Sequence, residues 1–147
     1  MESRVLRLAI SPCPNDTFMF DAMINNRIDV EDLRFEVEYL DIEQLNTAAI
    51  AQKYDVTKCS TALLADISSH YSLLDSGSAL GRGNGPLLVC RKGFDGAIRH
   101  IAVPGLHTTA NLLTERLFPD IERRTPMLFS EIADAVARGE YDAGVLI

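Results

Sequence analysis

Hydroxyl side chains stand where strands give way to helices in this sequence, and that placement suits the binding of an anion. Ser60 follows Lys58 and Cys59 at one such turn, and Thr108 and Thr109 open another. A helix N-terminus carries unpaired N–H groups and about half a positive charge, so it favours a carboxylate or phosphate. Ser60, Thr108 and Thr109 are placed to donate hydrogen bonds to such a group, and Lys58 can add a full charge. Each hydroxyl taken alone reads more readily as an ordinary helix cap. Convergence of several such turns on one cleft is what would separate binding from capping.

A third turn, Ser11-Pro12-Cys13-Pro14-Asn15-Asp16-Thr17-Phe18, is the most unusual string in the chain. Its prolines fix the backbone ahead of a helix. That makes Pro14, Asn15 and Asp16 candidates for lining a cleft. Cys13 near a helix N-terminus is a candidate nucleophile, although a small buried filler is the commoner role for such a cysteine. The run from Gly77 to Gly85 is dense in glycine, but no Gly-Lys-Ser/Thr closes it, so it is not a P-loop. Arg82 and Gly83 there fit an anion nest or a plain flexible turn. His107, in a ligand-facing turn, suits a base, a donor or a support for that turn. His70 ends a helix and His100 enters a strand, so both read as structural or exposed. No metal-ligand spacing occurs, so neither a metal nor a cofactor is expected.

The bulk composition narrows the partners. A net charge of -7 with scattered Lys and Arg argues against nucleic acid, which needs a concentrated basic face. Hydrophobic content of 47% fits a soluble globular domain. No apolar run approaches the ~20 residues of a membrane span, and the opening residues lack a signal-peptide pattern. Cys13, Cys59 and Cys90 are widely spaced, which suits reduced thiols in the cytoplasm. The chain stops on the apolar segment Gly144-Val145-Leu146-Ile147, which reads as a truncated chain.

The elements that must position these turns alternate between strand and helix. Val5 to Ile10 is a strand, followed by a helix from about Asp16-Thr17 that buries Phe18, Met19, Ala22 and Met23. Leu33 to Tyr39 alternates apolar and polar residues, so it is a strand with one wet face. Asp41 starts a helix, with Gln44 completing a capping box, and Leu45, Ala48 and Ala49 face inward. Asp55 to Cys59 is a short strand leading to a helix with Leu63, Leu64 and Ile67 inside. Tyr71 to Leu74 is a candidate strand, and Pro86 to Arg91 is another. Ile101 to Val103 precedes a helix that buries Ala110, Leu113 and Leu117 and stops at Pro119. A last helix from Ser130 packs Ile132, Ala133, Val136 and Ala137, ends at Gly139 and leads to the final strand. This alternation means an α/β fold with mostly parallel sheets, whose ligands sit at the carboxyl ends of the strands. The pause around Lys92 to Gly96 places a crossover there, dividing the chain into a first lobe at 1–95 and an incomplete second lobe at 96–147.

Several of these strings together resemble the 1,4-dihydroxy-6-naphthoate synthase family. They are Ser11 to Phe18, Thr57-Lys58-Cys59-Ser60, Ala79 to Pro86, and Ala102-Val103-Pro104-Gly105 with His107-Thr108-Thr109. The resemblance implies a two-lobed periplasmic-binding-protein-like (type II) fold. It also implies a lyase of the futalosine route to menaquinone, cleaving cyclic dehypoxanthine futalosine to the dihydroxynaphthoate and a small sugar-derived ketone. Substrate contacts would fall on Lys58, Cys59 and Ser60 and on Thr108 and Thr109. The family's base histidine would lie just beyond Ile147, so the chain alone is expected to be inactive. The alternatives are a non-catalytic module of the same fold that binds a small carboxylate, and a chorismate-acting sister enzyme. A second copy of the chain is a candidate to cover the incomplete lobe.

Overall fold

The computed structural model describes residues 3–147, and the chain forms two compact units. The first runs to Cys59 and resumes over Leu64–Ala79; the second comprises Ser60–Leu63 and Leu80–Ile147.

The first unit is built on a wholly parallel sheet in the order β2-β1-β3, with β1 at Arg4–Ile10, β2 at Leu33–Tyr39 and β3 at Val56–Thr57. In β2 the half-buried Leu33, Phe35 and Val37 alternate with exposed Arg34, Glu36 and Glu38, as its period-two pattern requires. Helix α1 spans Pro14–Ile24 and α2 spans Ile42–Ile50. The Asp41 carboxylate accepts from Glu43 N at 3.0 Å, and Gln44 Oε1 accepts from Asp41 N at 2.9 Å, so the expected capping box forms. Leu8, Ala9 and Ile10 at the end of β1 are wholly buried, and Ala9 sits in a cluster with Leu45, Ala48 and Tyr54. The short helix α3, Leu64–Ile67, buries Ile67; the 3-10 turn before it, Thr61–Leu63, buries Leu63 and counts with the second unit. Tyr71 to Leu74 forms no strand. Instead the Tyr71 hydroxyl donates to the Tyr54 carbonyl at 2.7 Å and ties this segment to the core.

The second unit holds β4 at Leu87–Cys90, β5 at His100–Val103, β6 at Arg123–Pro126 and β7 at Ala143–Leu146, in the order β4-β7-β5-β6. Only β4 runs antiparallel to its neighbour; the β5–β6 and β5–β7 pairs are parallel. Helix α4 is Thr109–Leu117 and α5 is Phe129–Arg138. The two faces of β5 are used separately. Ile101 and Val103 pack with Ala110, Ile121, Ala143 and Val145, whereas Ala102 packs with Ile132 and Val136 of α5. Gly139, at φ 82°, caps α5 in the left-handed region.

Several expectations change, and one strand was not expected. The pairing of β4 with β7 puts residues 87–90 in the second unit, so the units divide after Ala79 and not near residue 95. A four-residue apolar run carries no record of which sheet it will join. Helix α1 starts at Pro14, and Phe18 is 87% exposed, with Met19, Ala22 and Met23 only half-buried. On α4, Leu113 and Leu117 are exposed and the buried side chains are Ala110, Asn111 and Thr114; on α5, Ala135 is buried where Ala133 and Ala137 are exposed. β6, of sequence Arg-Arg-Thr-Pro, has no apolar pattern and forms as an edge strand beside β5.

At the base of this sheet, Asp142 Oδ2 accepts from the backbone N–H groups of Arg99 (3.0 Å) and His100 (2.9 Å). These two donors, His100 first, hold the Asp142 carboxyl below its ordinary value of 3.8. A depressed carboxyl stabilises the fold above its unfolded value and loses that contribution as pH falls through the folded one. Asp142→Ala should therefore cost about 1 kcal/mol at pH 7, a modest figure for partly solvated hydrogen bonds. Urea unfolding at pH 7 and at pH 3 checks this: the difference between variant and parent should shrink at pH 3.

Candidate functional site

The turns at the carboxyl ends of the strands each have a different internal wiring. In the first unit, Cys13 is the N-cap of α1 and Pro14 its first helical residue. Proline is suited there, since its missing N–H is one the helix would not use. Thr17 N and Thr17 Oγ1 both donate to the Cys13 carbonyl. Asp16, in the first helical turn, points back beneath the turn and is 4% exposed. Its Oδ2 accepts from Ser11 N at 3.0 Å and from Ser11 Oγ at 2.9 Å, and its Oδ1 lies 3.3 Å from Lys58 Nζ.

Lys58 reaches that position because β3 runs parallel beside β1, with Lys58 N donating to the Ala9 carbonyl at 2.9 Å. Parallel neighbours present their carboxyl ends together, which brings Lys58 under the Ser11–Thr17 turn. The ammonium also donates to the carbonyl of Gly77 at 3.4 Å. Gly77 has φ 85°, a backbone conformation that favours glycine. Cys59 is half-buried; burial pushes its thiol up, and the neighbouring Lys58 charge partly opposes this. Cys13 is exposed, which removes the reading of it as a buried filler. Its sulfur lies 2.8 Å from Ser11 Oγ, whose single proton it shares with Asp16 as rival acceptor. Pro14 and Asn15 are exposed on the same turn.

In the second unit, Pro104 is fully buried and Gly105, at φ 149°, lets the chain turn off β5. Thr108 is the N-cap of α4: its Oγ1 accepts from Asn111 N at 3.2 Å and donates to the Gly105 carbonyl at 2.7 Å. Its hydroxyl proton is therefore committed to the turn. Asn111 Nδ2 donates to the Leu106 carbonyl at 2.9 Å and pins the same loop. Thr109 Oγ1 accepts from Ala62 N at 3.1 Å, joining the 3-10 turn after Ser60 to the start of α4. That contact consumes an acceptor site and leaves the Thr109 hydroxyl proton available to donate. Ser60 is 8% exposed, and its carbonyl accepts from Leu63 N at 2.9 Å.

The structure thus gathers Asp16 and Lys58 with Ser11 and Gly77 in one unit, and Ser60, Thr108 and Thr109 in the other, with Lys58 and Cys59 on the first side of the division. His107 is exposed in the Gly105–Thr108 turn, and Arg82 and Gly83 are exposed in the glycine-rich loop. His100 is structural: its Nε2 lies 2.8 Å from Thr125 Oγ1 and its ring packs edge-on to Tyr141. Among the described residues no group of three or more His, Cys, Asp or Glu could hold a metal ion. The buried role of Asp16 and the loop-pinning roles of Gly105 and Asn111 are the features that sequence reasoning missed.

Residues 6–147 match the protein-family model for menaquinone biosynthesis. A 1,4-dihydroxy-6-naphtoate synthase from Thermus thermophilus is 40% identical over 97% of this chain and 52% of its own length. A protein of the same name from Streptomyces coelicolor is 39% identical over 100% of this chain and 54% of its own. The chain therefore spans about half the length of these curated relatives. A crystal structure of an Archaeoglobus fulgidus protein superposes with a TM-score of 0.85 at 37% identity, covering 100% of this chain and 55% of the other. The ligand-binding component of an ABC-type import system from Staphylococcus aureus superposes with a TM-score of 0.67 at 16% identity, covering 98% of this chain and 54% of the other, a likeness of fold. The architecture is accordingly α/β of the periplasmic-binding-protein kind, and the chain belongs to the menaquinone biosynthesis family.

Proposed function

We propose that this chain forms part of a cytoplasmic carbon–carbon lyase that converts cyclic dehypoxanthine futalosine to 1,4-dihydroxy-6-naphthoate on the futalosine route to menaquinone. The observation that carries the reading is the identity of 39–40%, along essentially the whole chain, to two proteins named for that product. The physical contribution of residues 3–147 is recognition, and no proton-removing role is assigned within them. The substrate contacts proposed are Lys58, Cys59 and Ser60, with Thr108 and Thr109 at the start of α4.

The wiring of the α4 turn refines those roles. The Thr108 hydroxyl holds the turn through Gly105 and Asn111, and the Thr109 hydroxyl is the side-chain donor for a carboxylate. The helix N-terminus supplies the favourable field. A hydrogen bond to a charged group contributes about 1.5–3 kcal/mol, so Thr109→Val should weaken binding of 1,4-dihydroxy-6-naphthoate by at least about tenfold. Thr109→Ser keeps the hydroxyl and should bind within about threefold of the parent, on the same scale. Isothermal titration of the folded variants decides: equal affinities for Val and Ser at this position would remove Thr109 from the site.

The import-system likeness at 16% identity supports the fold alone. Turnover of cyclic dehypoxanthine futalosine by the whole protein, followed as release of the naphthoate, tests the activity directly. Binding without turnover in the whole protein would leave a carboxylate-binding module in place of the lyase.

A further inference from the structure

Lys58 is a cation at the end of β3, yet its charge is already answered. Its ammonium lies 3.3 Å from the carboxylate of Asp16, whose side chain is 5% exposed, and 3.4 Å from the Gly77 carbonyl. The Lys58 side chain is 19% exposed, so the pair sits largely out of water, where one charge is felt strongly by the next. Asp16 is also fixed from behind, because Ser11 N and Ser11 Oγ both donate to its Oδ2. It cannot swing away when a second anion approaches Lys58. An incoming carboxylate would meet an ammonium whose field is cancelled by a held carboxylate close behind it. An uncharged hydroxyl would meet a well-aimed donor, since an ammonium has three protons and only two are taken here.

We propose that Asp16 is a specificity-determining residue: it neutralises Lys58 so that the β1–β3 end of the first unit takes an uncharged, hydroxyl-bearing part of the ligand and rejects a carboxylate. The proposal rests on the lyase reading above, in which the substrate carries a sugar-derived, hydroxyl-bearing part besides its carboxylate. Asp16 acts here through Lys58 and is a positioning residue, not a catalytic one.

The test uses the 147-residue chain with sulfate as the anion probe and backbone amide NMR as the readout. In the parent chain, sulfate should leave the amides of Lys58 and Gly77 unmoved. Asp16→Asn keeps an oxygen that can accept from Ser11 but removes the charge, so sulfate should then shift both amides and bind there about tenfold more tightly, the scale expected when a nearby like charge is removed. Adding Lys58→Met to Asp16→Asn should abolish the gain. An equal sulfate response in parent and Asp16→Asn, or a gain that survives Lys58→Met, overturns the proposal. Should Asp16→Asn fail to fold, the parent titration decides alone: sulfate shifts at Lys58 and Gly77 overturn the proposal, and their absence supports it. Naphthoate titration of the parent chain is a separate readout. Its failure would refute the functional reading while leaving the charge pairing as measured by sulfate.

Discussion

Gly144→Val should destabilise the second unit by at least about 3 kcal/mol, and Gly144→Ala by about 2 kcal/mol, the range of overpacked cores. Gly144 pairs with Ala102 across β7 and β5, and these two small residues form the floor on which α5 rests. A Cβ added at Gly144 would fall well inside contact distance of Ile132 Cγ2 and at 2.9 Å from Val136 Cγ2. Both obstacles are methyl groups on β-branched side chains of the helix, with little freedom to turn aside. Ile132 is wholly buried and Val136 is 4% exposed, so the helix must move or the strand must bend. The backbone of Gly144 lies outside the positive-φ set, so the cost is one of space and not of conformation. Ile132→Ala removes the nearer methyl group, so the double variant Gly144→Ala with Ile132→Ala should lose at least ~1 kcal/mol less than the sum of the singles. Urea unfolding with unchanged slopes measures all three; strict additivity would show that the helix does not rest on Gly144 as described.

The segment around Gly144 also shows what could be read in advance and what could not. Asp142-Ala143-Gly144-Val145 was legible as a buried strand, and so was its predecessor helix ending at Gly139. β2 was legible because its polar and apolar residues alternate strictly, and α2 because Asp41 and Gln44 form a local cap that needs no distant partner. The misreadings share a cause. Leu113 and Leu117 fit a helical stripe, but the inner face of α4 is set by where β5 and β7 lie, and it falls on Ala110, Asn111 and Thr114. Helix α1 is apolar on several sides, from Phe18 through Phe20 to Ile24, so its sequence alone selects no face. β4 needed knowledge of a partner more than fifty positions on, which periodicity does not supply.

The site divides along the same line. Ser60 and the Thr108-Thr109 pair were singled out by local logic, hydroxyls at the starts of helices, and α4 does begin there with Thr108 as its cap. What local logic missed was the fate of each proton. Thr108 donates inward to Gly105, so Thr109 is the side chain with a proton to offer. Asp16 read as a cleft-lining residue near a helix start, where a carboxylate is favoured by the helix N-terminus. Its burial follows from β3 lying parallel beside β1, which carries Lys58 to the same end of the sheet. That adjacency was available once the strand–helix–strand order was recognised, and it would have paired the two charges.

Leu45→Ala should cost the first unit about 3 kcal/mol, whereas Leu117→Ala should change stability by no more than about 0.5 kcal/mol, although both leucines occupy apolar stripes of helices. The difference lies in burial. Leu45 is wholly buried against Ala9, Ala48 and Tyr54, with Leu40 and Ile42 packed around them, and Leu117 is 69% exposed. Truncating Leu45 removes methyl groups that pack with Ala9 on β1 and Tyr54 on the chain leading into β3, so the void borders β1 and that segment. The surroundings can close it only in part, because Ala9 and Ala48 are already small. Leu45→Met nearly conserves volume and should cost less than about 1.5 kcal/mol. The consequence reaches the site, because Ala9 is the residue whose carbonyl receives Lys58 N. Loosening the core beneath Ala9 should therefore speed amide hydrogen exchange at Lys58 in Leu45→Ala and leave it unchanged in Leu117→Ala. Equal exchange at Lys58 in the two variants would mean that the packing of α2 on β1 does not hold the lysine in place.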